Sequence, residues 1–291
     1  MTTATLEAPK TEKALVLGIH SNVSFTDYQA IDAVNNSTLK DWAYTAAEAR
    51  EAGLHPRQPS AAFRTGDACH VAVLEPKRFQ REFARAPKFD LRTIKGKAAK
   101  AQWEESHPDL VSLSREEYDM ACGMRDSVWS HPLASELLKG QGQNEVTVIW
   151  IDPETGLLCK ARLDRLTPWR GWSVVIDLKT CKQHEASVEL FPKVIGQFHY
   201  QQQAAFYGDG LNVLAPYDRR FVFLAVEKVP PYLVACHELD DSDIIEGRAR
   251  YRAALTKLAE AKRTGEYPGY PCGIEGVTIP AYFYEYTRPP R

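Results

Sequence analysis

Apolar and polar positions alternate most regularly between residues 145 and 179. E-V-T-V-I-W-I (145–151) and L-L-C-K-A-R-L-D (157–164) flank D-P-E-T-G, a turn composition that predicts a β-hairpin. A further strand, V-V-I-D-L-K-T, follows T-P-W-R-G-W. Period-two alternation sends Val174, Ile176 and Leu178 to one face, and Val175, Asp177 and Lys179 to the other. Leu158, Lys160, Arg162 and Asp164 share a face of the strand taken to end at Asp164. With Ile151 paired to Leu157, Glu145 falls beside Leu163, one residue out of phase with Asp164. A bulge or a one-residue slip would bring the two carboxylates to the same face. F-V-F-L-A-V-E (221–227) and Y-L-V-A-C-H-E-L (232–239) predict another hairpin around V-P-P.

Helical patterns fill much of the remainder. Thr26 and Ser37 read as N-caps of two short helices, and 43–53 continues helical. Residues 60–75 predict a third helix that Pro76 stops, with Phe63, Ala68, Val71, Val73 and Leu74 on its apolar surface. Residues 101–138 read as helical with Ser114 as a cap, and Met120, Met124 and Val128 as core. Residues 185–207 predict a helix or a pair broken around Pro192, ended by Gly208 and Gly210. Residues 241–262 form a long helix closed by Gly265. Residues 1–15 read as a flexible leader and 271–291 as a loop-rich, aromatic tail. The fold class is α/β (α+β): a central mixed sheet flanked by helices, with a mainly helical part over 16–140 and a sheet-bearing part over 141–270. One domain over 16–291 suits this length better than two.

Composition narrows the function classes. The 291 residues are 44% hydrophobic and 25% charged, with a net charge of -2, so the whole molecule is no polycation. Nucleic-acid binding would need a local basic patch. Residues 77–100 supply one: nine Lys and Arg against Glu82 and Asp90 give a local charge of +7. The stretch reads as a mobile loop, either a solvated basic face or a segment whose Arg92, Lys95 and Lys97 track DNA phosphates. No apolar run reaches membrane-spanning length and the N-terminus has no signal-peptide core, which predicts a cytoplasmic setting. The six cysteines form no C-x-x-C pair, against a structural zinc or an iron–sulfur cluster. Each reads as a small buried hydrophobe.

Chemistry concentrates on the 156–180 stretch. An acid and a lysine two residues apart on an apolar strand are costly to bury unless paired or metal-bound. Asp164, at the end of the neighbouring strand, could supply the other half of a metal site, with Glu145 as a weaker additional acid. His70 lies three residues after Asp67, which could orient its imidazole, as a satisfied core histidine or as a ligand. Tyr200, Gln203 and Tyr207 form a stripe at helical spacing that packs under the sheet or lines the site. Carboxylate oxygens favour Mg²⁺ or Mn²⁺ over zinc, and such an ion polarises a phosphodiester. Lys179 would then hold or activate water, or neutralise developing charge. A D-x-K triplet alone also occurs as a surface ion pair.

D-(x12)-D-L-K with an upstream helical His and a downstream Q-x-x-x-Y resembles the RecB-type branch of the PD-(D/E)xK nuclease superfamily. More closely, G-D-A-C-H-V-A-V-L-E-P-K-R-F, D-P-E-T-G-L-L-C-K-A-R-L-D, V-I-D-L-K-T, Q-A-A-F-Y-G-D-G and T-G-E-Y-P, in that order over 35–270, resemble the RecE-type (exonuclease VIII) nuclease domains and their phage relatives. The resemblance implies a restriction-endonuclease-like core in which His70, Asp164 and Asp177 ligate Mg²⁺ or Mn²⁺ and Lys179 is the catalytic lysine. Gln203 and Tyr207 would support the site or contact DNA. The implied activity is 5′-to-3′ digestion of one strand of linear duplex DNA, leaving a 3′ overhang for a partner single-strand annealing protein. It further implies a ring-like homo-oligomer in a bacterial or phage-infected cell. A non-catalytic DNA-binding or assembly module, and a nuclease acting on single strands or flaps, remain the alternatives.

Overall fold

The computed structural model describes residues 16–55 and 61–283, so the leader expected over 1–15 and the end of the tail lie outside the described residues. The chain opens with β1 (Gly18–His20), α1 (Phe25–Ala30), α2 (Asn36–Asp41) and α3 (Ala46–Leu54). The first two caps are Ser24 and Asn35, whose side chains accept from Asp27 N and Thr38 N. Thr26 and Ser37 already lie inside helices, whereas a cap needs extended backbone and a side chain turned back to a free N–H. Pro76 ends α4 (Ala61–Leu74), as expected, and also opens α5 (Pro76–Glu82). A first-turn proline lacks only an N–H that would have no helical partner anyway.

The basic stretch is not a loop. After α5 come β2 (Phe83–Arg85) and a turn leading into α6 (Ile94–Ser106), whose cap Thr93 accepts from Gly96 N. Gly96 is required there: a Cβ would stand 2.0 Å from the Asp90 carbonyl oxygen. None of the α6 residues is buried. A helix wetted on all sides needs no apolar stripe, which is why its sequence has the weak periodicity of a loop.

Next come β3 (Val111–Leu113), parallel to β2, then α7 (Arg115–Ser130) and α8 (Pro132–Lys139). Helix therefore does not run unbroken over 101–138. The remaining elements are β4 (Gln143–Ile151), β5 (Leu158–Trp169), β6 (Trp172–Cys181), α9 (Phe191–Phe198), α10 (Tyr200–Leu214), β7 (Arg219–Glu227), β8 (Val234–Glu238) and α11 (Asp241–Thr264). The break in the 185–207 stretch falls at His199, in the left-handed region with φ 54°, while Pro192 sits in the first turn of α9. Gly208 and Gly210 do not end α10. A Cβ at Gly210 would lie 2.6 Å from the Trp150 indole, so this glycine serves close approach of helix to strand.

Six strands form a mixed sheet in the order β1-β4-β5-β6-β7-β8, parallel only between β6 and β7. Its two faces follow the expected alternation. Val174, Ile176 and Leu178 pack with Cys69 and Val73 of α4 and Met124 and Val128 of α7. Val146, Val148, Trp150 and Val175 pack on the other side with Leu39, Phe206 and Tyr251, from α2, α10 and α11. Cys69, Cys159 and Cys181 are buried, but Cys272 is exposed in the irregular stretch after α11, where no core is at hand to cover it.

The sheet is forked. β5 pairs with β6 only from Arg165–Ile176 to Trp169–Trp172; beyond that, β5 stays with β4 while β6 stays with β7. Backbone of the N-terminal part props the gap open. Val34 N donates to Leu158 O at 2.9 Å and Val34 O accepts from Lys160 N at 2.8 Å. Lys160 Nζ donates to the carbonyls of Tyr28, Gln29 and Ile31 at 2.9, 3.3 and 2.6 Å, at the C-terminal end of α1, where the helix dipole favours a cation.

Candidate active site

Two turns set the row of acids. In the β4–β5 turn Asp152 N donates to Leu157 O at 2.9 Å, and the Asp152 carboxylate accepts from Thr155 N at 2.9 Å. Ile151 therefore pairs with Leu158 and not with Leu157. This one-residue slip changes the fate of Glu145: with Val146 opposite Leu163 and Asn144 opposite Arg165, it stands across from Asp164. Its own backbone is in the left-handed region, φ 54°. The second strand also does not stop at Asp164. It runs on to Trp169 and turns through Arg170 and Gly171, φ 47° and 85°, a two-residue hairpin turn. Counting back from Arg165–Ile176, Asp164 and Asp177 face each other where the strands part. Three neighbouring strands thus deliver three acids to one row.

The fork also lets both layers of helices reach the same place. Asp164 Oδ2 accepts from the freed Leu178 N at 2.6 Å and lies 3.4 Å from His70 Nδ1, on α4. Asp67 is exposed, so the carboxylate beside His70 is Asp164, not the helical neighbour. From the opposite layer α10 contributes Gln203. Its Nε2 donates to Asp177 Oδ1 at 2.5 Å and its Oε1 accepts from Lys179 Nζ at 3.0 Å. Lys179 Nζ closes the triangle, 2.5 Å from Asp177 Oδ2. It also lies 4.3 Å from the centre of the Tyr200 ring. Tyr207, two turns further along α10, is close enough for Asp177 and Asp164 to add to the burial that holds its phenol protonated.

Charges in this space are strongly perturbed. Burial, then the negative charge of Asp177, pushes the Asp164 carboxyl up to about 8. Burial and the charge of Asp164 raise Glu145. Burial works to lower Lys179, but the Asp177 carboxylate outweighs it and the net shift is upward, so Lys179 stays an ammonium. Burial and the Lys179 charge lower His70, which favours the neutral imidazole.

Among the described residues no three His, Cys, Asp or Glu side chains are gathered closely enough to enclose an ion. Cations of the chain itself face two of the acids: Lys179 lies against Asp177, and Arg162 Nε donates to Glu145 Oε2 at 2.6 Å. Next to Asp164 stand the His70 imidazole and the Leu178 N–H, and the charges of Lys179 and Arg162 also reach it. Two buried acids, one with its carboxyl pushed up by burial and by the charge of the other, beside a histidine, fit a small hard divalent cation. Arg92, Lys95 and Lys97 are not brought to the acids. They lie at the start of α6, where Arg92 is 91% exposed and pairs with Asp90 at 3.0 Å.

Sequence reasoning missed Arg162 as the partner of Glu145, and Lys40 on α2. Both act across the fold, and no local spacing marks them. The buried pair Gln202 Nε2 to Asn36 Oδ1, at 3.0 Å, was equally hidden. It ties α2 to α10 at the residue next to Gln203.

No curated protein matches the chain by sequence. A crystal structure of a "putative exonuclease" from Eubacterium rectale superposes over 92% of this chain and 99% of its own, with TM-score 0.58 at 12% identity, a likeness of fold. SSO0001, at 18% identity over 55% of this chain and 69% of its own, has TM-score 0.27. VC1899 from Vibrio cholerae, at 13% identity over 78% and 57%, has TM-score 0.23. Residues 35–277, which hold every residue of the fork from Val34's neighbour onward, match the family described as PDDEXK-like domain of unknown function, DUF3799. The chain belongs to this PDDEXK-like family.

Proposed function

We propose that the protein is a divalent-cation-dependent deoxyribonuclease that digests one strand of linear duplex DNA from its 5′ end. The observation that carries the reading is the pair Asp164 and Asp177 facing across the fork, with Lys179 gripped between Asp177 and Gln203. Asp164, Asp177 and His70 would hold Mg²⁺ or Mn²⁺, with Glu145 as the additional acid. The ion supplies the positive charge that makes a phosphodiester susceptible to water. Lys179 adds a fixed ammonium where negative charge develops on phosphorus-bound oxygen. Gln203 holds that ammonium in place, and the Tyr200 ring walls it from bulk water. An overhang left by such digestion is the substrate of a strand-annealing partner, and a ring of copies would keep the DNA threaded.

Linear duplexes blocked at either the 5′ or the 3′ end test the polarity. Digestion should survive the 3′ block, stop at the 5′ block, and stop on chelation of divalent ions. Cutting of closed circles would show an endonuclease instead, and digestion that persists without divalent ions would remove the cation from the mechanism.

The exposed α6 arm gives a second test. Neutralising Arg92, Lys95 and Lys97 together should weaken DNA binding and flatten the dependence of log K on log salt by up to about 0.9 per lost phosphate contact. An unchanged slope, read by fluorescence anisotropy, would make the arm a solvated face only.

A further inference from the structure

Lys40 approaches the acids from the layer opposite His70. Its helix is firmly placed: Leu39 and Trp42 are buried, and Asn36 is bound to Gln202. Lys40 Nζ stands 5.6 Å from the centre of the Tyr200 ring, the ring that Lys179 Nζ approaches to 4.3 Å. Two ammonium groups thus share one aromatic ring. Burial, then the like charge of Lys179, pushes Lys40 down to about 8, with Asp177 opposing. Beyond it His199 is in turn lowered by burial and by the charges of Arg250 and Lys40, and Arg250 Nη2 lies 3.1 Å from His199 Nε2. Arg250 is itself paired with Glu246 at 3.5 Å, so Lys40 and Lys179 are the two cations at the Tyr200 ring.

A half-buried cation beside another cation is unfavourable in the free protein. It becomes favourable when an anion arrives. We propose that Lys40 binds the phosphate next to the scissile one on the same strand, with the Tyr200 ring between the two phosphate positions, so that the site takes a polynucleotide and not an isolated phosphate ester. This rests on the nuclease reading above.

The test compares wild type with Lys40→Met and Lys40→Arg on linear duplex DNA, reading KM, kcat, the salt dependence of binding and Tm. Lys40→Met should raise KM about tenfold, as for loss of one charge-assisted contact, with a smaller change in kcat. It should also lower the salt slope by about 0.9, and Lys40→Arg should restore most of both. The methionine variant should melt no lower than wild type, since it removes a repulsion. An unchanged KM and slope overturn the inference, as does a lowered Tm with intact binding, which would make Lys40 a brace of α2 on Tyr200. Wild type that cuts no DNA overturns the nuclease reading and this inference together. Wild type that cuts, with Lys40→Met binding normally, overturns this inference alone.

Discussion

Replacing Asp177 with alanine is expected to abolish release of nucleotides from linear duplex DNA, by at least about a thousandfold, while the chain stays folded. The residue is 2% exposed and its side chain meets both Lys179 and Gln203. Its loss removes one of the two facing acids and frees the lysine at once. Breaking a buried ion pair costs on the order of 3–5 kcal/mol. Here relief of the Asp164–Asp177 repulsion offsets part of that cost, because the same charge is what raises Asp164. Asp177→Asn keeps the shape and the bond from Gln203 with less effect on Tm, and should be equally inactive. Nucleotide release, measured beside thermal unfolding by circular dichroism, checks both. A folded variant with wild-type activity would sink the assignment of this site.

A second large effect is expected at Gly247 on α11, which packs on the helix that carries Gln203. A Cβ there would lie 2.2 Å from the Gln201 carbonyl oxygen and 2.9 Å from Gln202 N. These are backbone atoms of α10 and cannot swing aside. Gly247→Ala should force α10 and α11 apart, at a cost of about 1–3 kcal/mol or more. Because Gln203 rides on the displaced helix, activity should fall as well, by roughly a hundredfold per ångström of misplacement. Gly208→Ala is the control. Nothing lies within 4 Å of its Cβ position, so it should stabilise the protein by up to about 1 kcal/mol. Equal melting temperatures for the two variants would show that the helices are not pinned at Gly247.

What could be read from sequence was what is decided locally. Period-two alternation placed Asp177 and Lys179 together on one face of their strand, and helical spacing put Gln203 and Tyr207 on one helix. The register of Glu145 was not legible, since it turns on an Asp152 side chain that organises a connection one residue longer than the alternation suggests. The run of β5 past Asp164 was hidden by T-P-W-R-G-W, a turn-rich composition that here extends a strand around a two-residue turn. α6 was illegible for the opposite reason: with no partner to pack on, nothing imposes a pattern on its sequence. Lys40, Arg162 and the Asn36–Gln202 pair belong to contacts between distant segments, and these exist only once the chain has folded.

The propped fork bears on where a working fragment of this protein could begin. A chain cut just before β4 would keep Glu145, Asp164, Asp177, Lys179 and Gln203, and of the site described above would lose His70 on α4. It would lose Val34, whose backbone fills the place beside β5 that β6 leaves. Lys160 would be stranded without its three carbonyl acceptors. Asn36, which anchors the helix that carries Gln203, would go with them. The catalytic unit is therefore discontinuous in sequence, and a boundary drawn at the first long strand passes through it.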